Sequence, residues 1–249
     1  MKHNDSFVNL LAPSTAPLKN VGLASRLLQT AIERPPHLPG IVVPYGPSGY
    51  GKSFAAAYTS NKHSAYYLEC KSVWTTKSLL NNIIREMGIA PEQTIAGMVD
   101  QVSEQLALSE RPLIIDEVDH IVKKRSIEVI RDIYEGSGAP ILLIGEEKLS
   151  VKLRQWERFH NRVLQWQPAQ PADSADAREL ARMYCPDVTI GQDVLDKIVI
   201  ATRGVTRRIC VNLHNIQSTA KSEGWNGVTL KEWGRRELYT GEPPRRSVG

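Results

Sequence analysis

The chain has 249 residues, of which 41% are hydrophobic and 23% charged, and a formal net charge of +4. That length and composition suit a globular protein with one large domain and a small appendage, and the mild basicity permits a nucleic-acid partner without requiring one. Cys70, Cys185 and Cys210 are far apart with no C-x-x-C, which argues against a disulfide or zinc framework and for reduced thiols in a cytoplasmic protein; no apolar run is long enough for a signal peptide or a membrane span.

Residues 1–19 are polar and broken by Pro13 and Pro17. They read as a flexible N-terminal arm, which either packs on a neighbouring subunit or frays. Val21, Leu23, Leu27, Leu28 and Ile32 recur at helical spacing and predict a helix over about 21–33, stopped by Arg34-Pro35-Pro36. Ile41-Val42-Val43 is a short β-branched run, as expected of a buried parallel strand, and a helix start follows at Phe54-Ala55-Ala56-Ala57.

Between that strand and that helix lies Gly46-Pro47-Ser48-Gly49-Tyr50-Gly51-Lys52-Ser53. This is G-x-x-x-x-G-K-S in the required strand–loop–helix context, the signature of a phosphate-binding loop. Gly46, Gly49 and Gly51 let the backbone curl so that successive N–H groups face the phosphates. The helix N-terminus, reaching through Phe54, adds its positive dipole end. Lys52 is expected on the β- and γ-phosphates of ATP, and the Ser53 hydroxyl on Mg2+.

Ser64–Cys70 reads as a second strand, Thr75–Met87 as an amphipathic helix ended by Gly88, and Thr94–Leu108 as another helix. Leu113-Ile114-Ile115-Asp116-Glu117 is an apolar strand ending in two acids, the Walker B pattern: Asp116 is expected to hold the Mg2+ shell and Glu117 to polarise the attacking water. Asp119-His120-Ile121-Val122-Lys123-Lys124-Arg125 leads into a helix through about Gly136. Pro140–Ile144 predicts a further strand, Lys148–Arg158 a helix, and Val163-Leu164 a last short strand. Alternating strands and helices of these lengths predict an α/β fold with a parallel sheet covered on both faces.

Gln167–Ala172 is a proline-rich hinge. Beyond it only helices are predicted, at about 173–183, 191–202, 205–223 and 229–238, with Asp173-Ser174 and Thr229 as N-caps. The domain reading is a nucleotide-binding domain over 20–167, a small all-helical lid over 173–240, and a disordered tail from 241 to 249.

The order of phosphate loop, Walker B, further strand, arginine-bearing segment and helical lid with Gly204-Val205-Thr206-Arg207 resembles the AAA+ ATPases. Within them the chain looks most like phage Mu-type B transposition proteins and related target-selecting ATPases, on Asn20-Val21-Gly22, Tyr67-Leu68-Glu69-Cys70 and Ile115-Asp116-Glu117-Val118-Asp119-His120. The resemblance implies that Arg207 is the lid arginine sensing the γ-phosphate, with Arg208 as its alternative. It also implies that one of Arg154, Arg158 and Arg162 reaches an adjacent subunit's ATP as a finger in trans; Arg158 is preferred. A polar sensor residue is expected after the strand at 141–144, yet Gly145-Glu146 follows, so either Glu146 orients water or the sensor is absent.

For function the resemblance implies a bacterial, phage- or mobile-element-encoded cytoplasmic ATPase. It would assemble into a ring or helical filament on double-stranded DNA and direct a cognate transposase. Lys123, Lys124 and Arg125, with Lys71 and Lys77, are the candidate DNA contacts; such contacts hold phosphates without reading sequence. Two other readings stay open: a helicase-loader-like ATPase of the same fold, and a signalling ATPase that binds protein partners and no DNA.

Overall fold

The computed structural model describes residues 18–122 and 126–242. The chain divides into two compact units: Asn20–Gln170, and a second running from Pro171 onward together with Lys19.

The first unit is built on a five-stranded sheet. Its strands are β1 (Ile41–Tyr45), β2 (Tyr66–Glu69), β3 (Leu113–Asp116), β4 (Ile141–Leu143) and β5 (Val163–Pro168). They are ordered β2-β3-β4-β1-β5, and every pairing is parallel. The central strands are continuous apolar runs because both faces are covered. Alternate residues sort to the two faces. Ile41, Val43, Leu113, Ile115, Ile141 and Leu143 join one core with Leu79, Leu80, Ile83 and Ile84 of α3 (Thr76–Glu86), and with residues of α4 (Ile95–Ser109) and α6 (Ile127–Ser137). Val42, Ile114, Leu142 and Ile144 join the other, against Leu27, Leu28 and Ala31 of α1 (Lys19–Ile32) and Ala56 of α2 (Lys52–His63). Thr75 and Thr94 cap α3 and α4, accepting from Ser78 N at 3.2 Å and Gly97 N at 3.0 Å.

The helix expected through about Gly136 is α6, preceded by the short α5 (Asp119–Val122); Lys123, Lys124 and Arg125 lie outside the described residues. Two expectations need correction here. The helix predicted over 148–158 is broken into α7 (Leu149–Leu153) and α8 (Glu157–His160), because Trp156 turns the chain at φ −108°, ψ 69°. β5 runs on to Pro168, into the predicted hinge, pairing Tyr45 with Pro168. Proline is tolerated there because β5 is an edge strand, where a missing N–H costs no ladder bond.

The second unit holds α9 (Ser174–Tyr184), α10 (Gln192–Thr202), α11 (Thr206–Glu223) and α12 (Leu230–Trp233). Asp173 and Thr229 cap α9 and α12 in capping boxes closed by Asp176 and Glu232. The unit is not helical throughout. β6 (Thr189–Ile190) and β7 (Gly227–Val228) form a parallel pair joining the turn after α9 to the turn after α11. Two-residue strands are too short to show a periodicity. α12 ends at Trp233 and not at 238, with Gly234 turning out at φ 62°. Residues 1–17 of the N-terminal arm and most of the C-terminal tail lie outside the described residues, and the arm's last residue, Lys19, already opens α1. Among the described residues no helix is long and apolar enough to cross a membrane.

Candidate active site

The phosphate loop, residues 46–53, connects the C-terminal end of β1 to the N-terminus of α2. Gly49 and Gly51 take φ +83° and +77°, values at which a side chain would be strained, so the loop closes only with glycine there. Lys52 folds back over the loop and donates from Nζ to the Gly46 carbonyl at 2.8 Å and the Pro47 carbonyl at 2.9 Å. Burial lowers its pKa, opposed by the charges of Asp116, Glu117, Asp119 and Glu146.

One residue that holds this loop was not singled out for it from sequence. Asn20, in the first turn of α1, donates its side-chain amide to the Tyr50 carbonyl at 2.8 Å and to the Gln170 carbonyl at 2.8 Å; its Oδ1 accepts from Gln170 N at 2.9 Å. All peptides here are trans. With the Tyr50 carbonyl drawn toward Asn20, the Gly51 N–H of the same peptide points the other way.

β3 brings Asp116 and Glu117 to the same end of the sheet, since all strands run parallel. Asp116 is buried; its Oδ1 accepts from Glu117 N at 2.8 Å, while Oδ2 is buried with no hydrogen-bond partner. Burial raises the Asp116 pKa, and the nearby Ser53 hydroxyl, the Glu117 N–H and Lys52 work against that rise. An unpartnered carboxylate oxygen beside a serine hydroxyl fits a hard divalent cation such as Mg2+. Burial, and then the charges of Asp116 and Glu69, raise the Tyr67 hydroxyl pKa.

Glu117 is half-buried and sits at φ +54°, the left-handed region that a non-glycine residue enters at a cost of about 1 kcal/mol. The other non-glycine residues in that region among the described residues, Ser64, Glu110 and Arg203, all close helices; Glu117 instead ends a strand. Burial and then the Asp116 charge raise its pKa, which moves it toward the range suited to a general base.

A scan against family models matches an AAA domain over residues 37–153, and a sequence search of curated proteins finds no match. Among solved structures, the Aeropyrum pernix ORC2 protein in ADPNP–ADP complexes superposes with a TM-score of 0.67 at 14% identity, covering 89% of this chain and 68% of that one. The Aeropyrum pernix ORC1 protein in complex with DNA gives 0.63 at 14%, covering 90% and 66%. Domain III of the Thermotoga maritima replication initiation protein DnaA gives 0.57 at 15%, covering 88% and 91%. The fold is that of the AAA+ P-loop ATPases.

The other residues expected in an AAA+ site fall as follows. Of the three candidate finger arginines, Arg162 is ion-paired to Glu135. Arg154 and Arg158 are exposed and have no ion pair among the described residues. Arg207 is exposed in the first turn of α11, whereas the Arg208 guanidinium packs against Gly241, where a Cβ would come within 2.5 Å of Nε.

At the end of β4, where AAA+ proteins are expected to carry a polar sensor, Gly145 bridges to Tyr45. The Glu146 side chain is ion-paired to Lys152 at 3.3 Å, and its N–H donates to Asp119 Oδ2 at 2.7 Å. Lys71 and Lys77 are both exposed, between β2 and the start of α3, and Lys77 Nζ donates to the Gln93 carbonyl at 3.0 Å. Beside Lys77, the Thr76 hydroxyl lies 2.8 Å from that of Ser126, the first described residue after Lys123-Lys124-Arg125. Asp119 is noted only within the Ile115–His120 stretch, and no sequence signal marks Lys152 or Ser126.

Proposed function

We propose that this chain is an ATPase that uses ATP as an assembly switch on duplex DNA. The observation that carries this reading is the buried, unpartnered Asp116 Oδ2, with the Ser53 hydroxyl close to that carboxylate and Lys52 folded back over the phosphate loop. Ser53 and Asp116 would hold Mg2+, which when bound neutralises charge on the phosphate oxygens. Gly46–Phe54 cradle the polyphosphate, and Lys52 leaves its carbonyl partners to meet the β- and γ-phosphates. Glu117 accepts a proton from the attacking water. Arg158 or Arg154 would reach a neighbouring subunit's ATP, and Arg207 would report nucleotide state from the helical unit, so turnover depends on assembly.

The DNA part of the reading rests on a placement. The Thr76–Ser126 contact ties the start of α3, where Lys77 stands, to the residue following the basic run. Lys71 and Lys77 are exposed after β2 and at the start of α3, and in sequence Lys123-Lys124-Arg125 immediately precede Ser126. Contacts of this type grip phosphates without sequence preference and weaken steeply with salt. In the finer form of the reading the DNA-bound oligomer or filament directs a transposase; that step rests on the sequence resemblance alone. A second reading, a replication-initiator or loader-like ATPase, is favoured by the solved structures that share the fold.

ATP turnover with and without duplex DNA tests the proposal. Duplex DNA is expected to raise turnover several-fold in the natural chain, and the charge-reversed pair Lys71→Glu, Lys77→Glu is expected to lose that stimulation. Turnover that ignores DNA altogether would instead favour an ATPase directed at protein partners.

A further inference from the structure

The sheet unit contains a buried carboxylate, Asp119, ion-paired to a partly exposed lysine, Lys152. Asp119 is 2% exposed, yet it is a charged residue. Its Oδ1 is bound by Lys152 Nζ of α7, and its Oδ2 accepts the Glu146 N–H at 2.7 Å. Lys152 also reaches Glu146 at 3.3 Å. Burial disfavours the charge on Lys152, but the hydrogen bond and charge of Asp119, with Glu146, outweigh it and raise its pKa.

The pair occupies a particular junction. Asp119 opens α5, two residues after the left-handed Glu117. Glu146 follows Gly145, whose carbonyl accepts from Gly46 N, the first residue of the phosphate loop, at 3.3 Å. Gly145 has no room for a side chain, because a Cβ would lie 2.5 Å from Asp119 Oδ2 and 2.5 Å from Leu149 Cδ2. Two residues beyond Lys152 comes the exposed Arg154. A continuous set of bonds therefore joins the phosphate loop, the β4 terminus, the Walker B end and the helix leading to the exposed arginines. The place where a polar side chain was expected from β4 is filled by the Asp119 carboxylate arriving from the other side.

We propose that Asp119 and Lys152 are positioning residues for ATP hydrolysis, holding the β4–α7 turn so that Glu117 and the arginine-bearing segment keep their register with the phosphate loop. The proposal rests on the ATPase reading above. Neither residue touches the phosphate loop directly; each acts through Glu146, Gly145 and the α5 terminus. Loss of the pair should slow the chemical step and leave ATP binding intact. Removing Lys152 alone would strand a buried charge and endanger the fold, so the informative variant removes both charges.

The experiment measures kcat, KM for ATP and Tm for the natural chain, for Asp119→Asn with Lys152→Met, and for Lys152→Arg. The expected result is at least a tenfold fall in kcat for the double variant, with KM within about twofold and Tm within a few degrees, and kcat largely kept by Lys152→Arg, which preserves charge and bond. An unchanged kcat in the double variant would overturn the proposal. So would a KM and Tm that move together with kcat, since that pattern is a stability or binding role. Absence of turnover in the natural chain would overturn the ATPase reading and the proposal with it, whereas turnover that survives loss of the pair overturns the proposal alone.

Discussion

Asn20 holds the Tyr50 carbonyl at 2.8 Å, so a residue of the first helix sets the orientation of a peptide inside the phosphate loop. The same side chain makes paired bonds to the backbone of Gln170, the last residue of the sheet unit. Loop geometry in this chain is therefore fixed from outside the loop.

Asn20→Ala should loosen the Tyr50–Gly51 peptide and weaken nucleotide affinity. One hydrogen bond of this kind is worth about 1 kcal/mol, or roughly a fivefold change in Kd. Titration with a fluorescent ATP analogue checks this; an unchanged Kd would show that the loop keeps its shape unaided.

Glu117→Gln keeps the shape of the side chain and the strained backbone but removes the base. Turnover should fall about a hundredfold or more, with ATP affinity retained. The contrast is Glu117→Val, which places a β-branched residue at φ +54° and should lower Tm as well. Single-turnover hydrolysis and thermal melting separate the two.

How far the sequence reveals this protein depends on the range of the interaction. The strand–loop–helix around Lys52 and the acids at Asp116 and Glu117 are local patterns, and the parallel strands β1 and β3 carry both to one end of the sheet. The alternation of strands with amphipathic helices likewise leads directly to the parallel sheet. Asn20 and Gln170 are 150 residues apart, and Asp119 and Lys152 are 33 apart; nothing local in either partner announces the other. Asp119 in particular looks like a helix cap after Walker B, and only its burial shows otherwise. The break at Trp156 and the short strands β6 and β7 were lost for a related reason: each is imposed by packing and not by propensity.

Arg34 closes the first helix with an anchor that is also invisible locally. Its guanidinium donates to the carbonyls of Ala31 at 2.6 Å, Leu38 at 3.3 Å and Gly138 at 2.5 Å. Arg34→Ala should cost about 1–3 kcal/mol, lowering Tm by several degrees. Arg34→Lys should restore little of it, because an ammonium lacks the planar fork that serves three carbonyls. Chemical denaturation checks both.

His63, in the last turn of α2, lies 3.2 Å from the buried Ser25 hydroxyl and next to Lys62, which also donates to Ser25. Burial, and then the Lys62 charge, lower its pKa below the ordinary 6.5. The folded state thus binds this proton less readily than the unfolded chain. Stability from this group is present above pH 6.5 and is lost as pH falls through the lowered value. Tm should decline below that pH, and the decline should be shallower in His63→Gln; an identical pH profile would contradict the assignment.

The central claim is that nucleotide held by Lys52 and Asp116 switches this chain onto DNA. The most direct test is fluorescence anisotropy of labelled duplex DNA with ATP, with ADP and without nucleotide, at two salt concentrations, for the natural chain and Lys52→Ala. Binding is expected to require ATP, ignore sequence, weaken with salt and disappear in Lys52→Ala. Failure to bind duplex DNA with any nucleotide, by protein that still hydrolyses ATP, would contradict the claim.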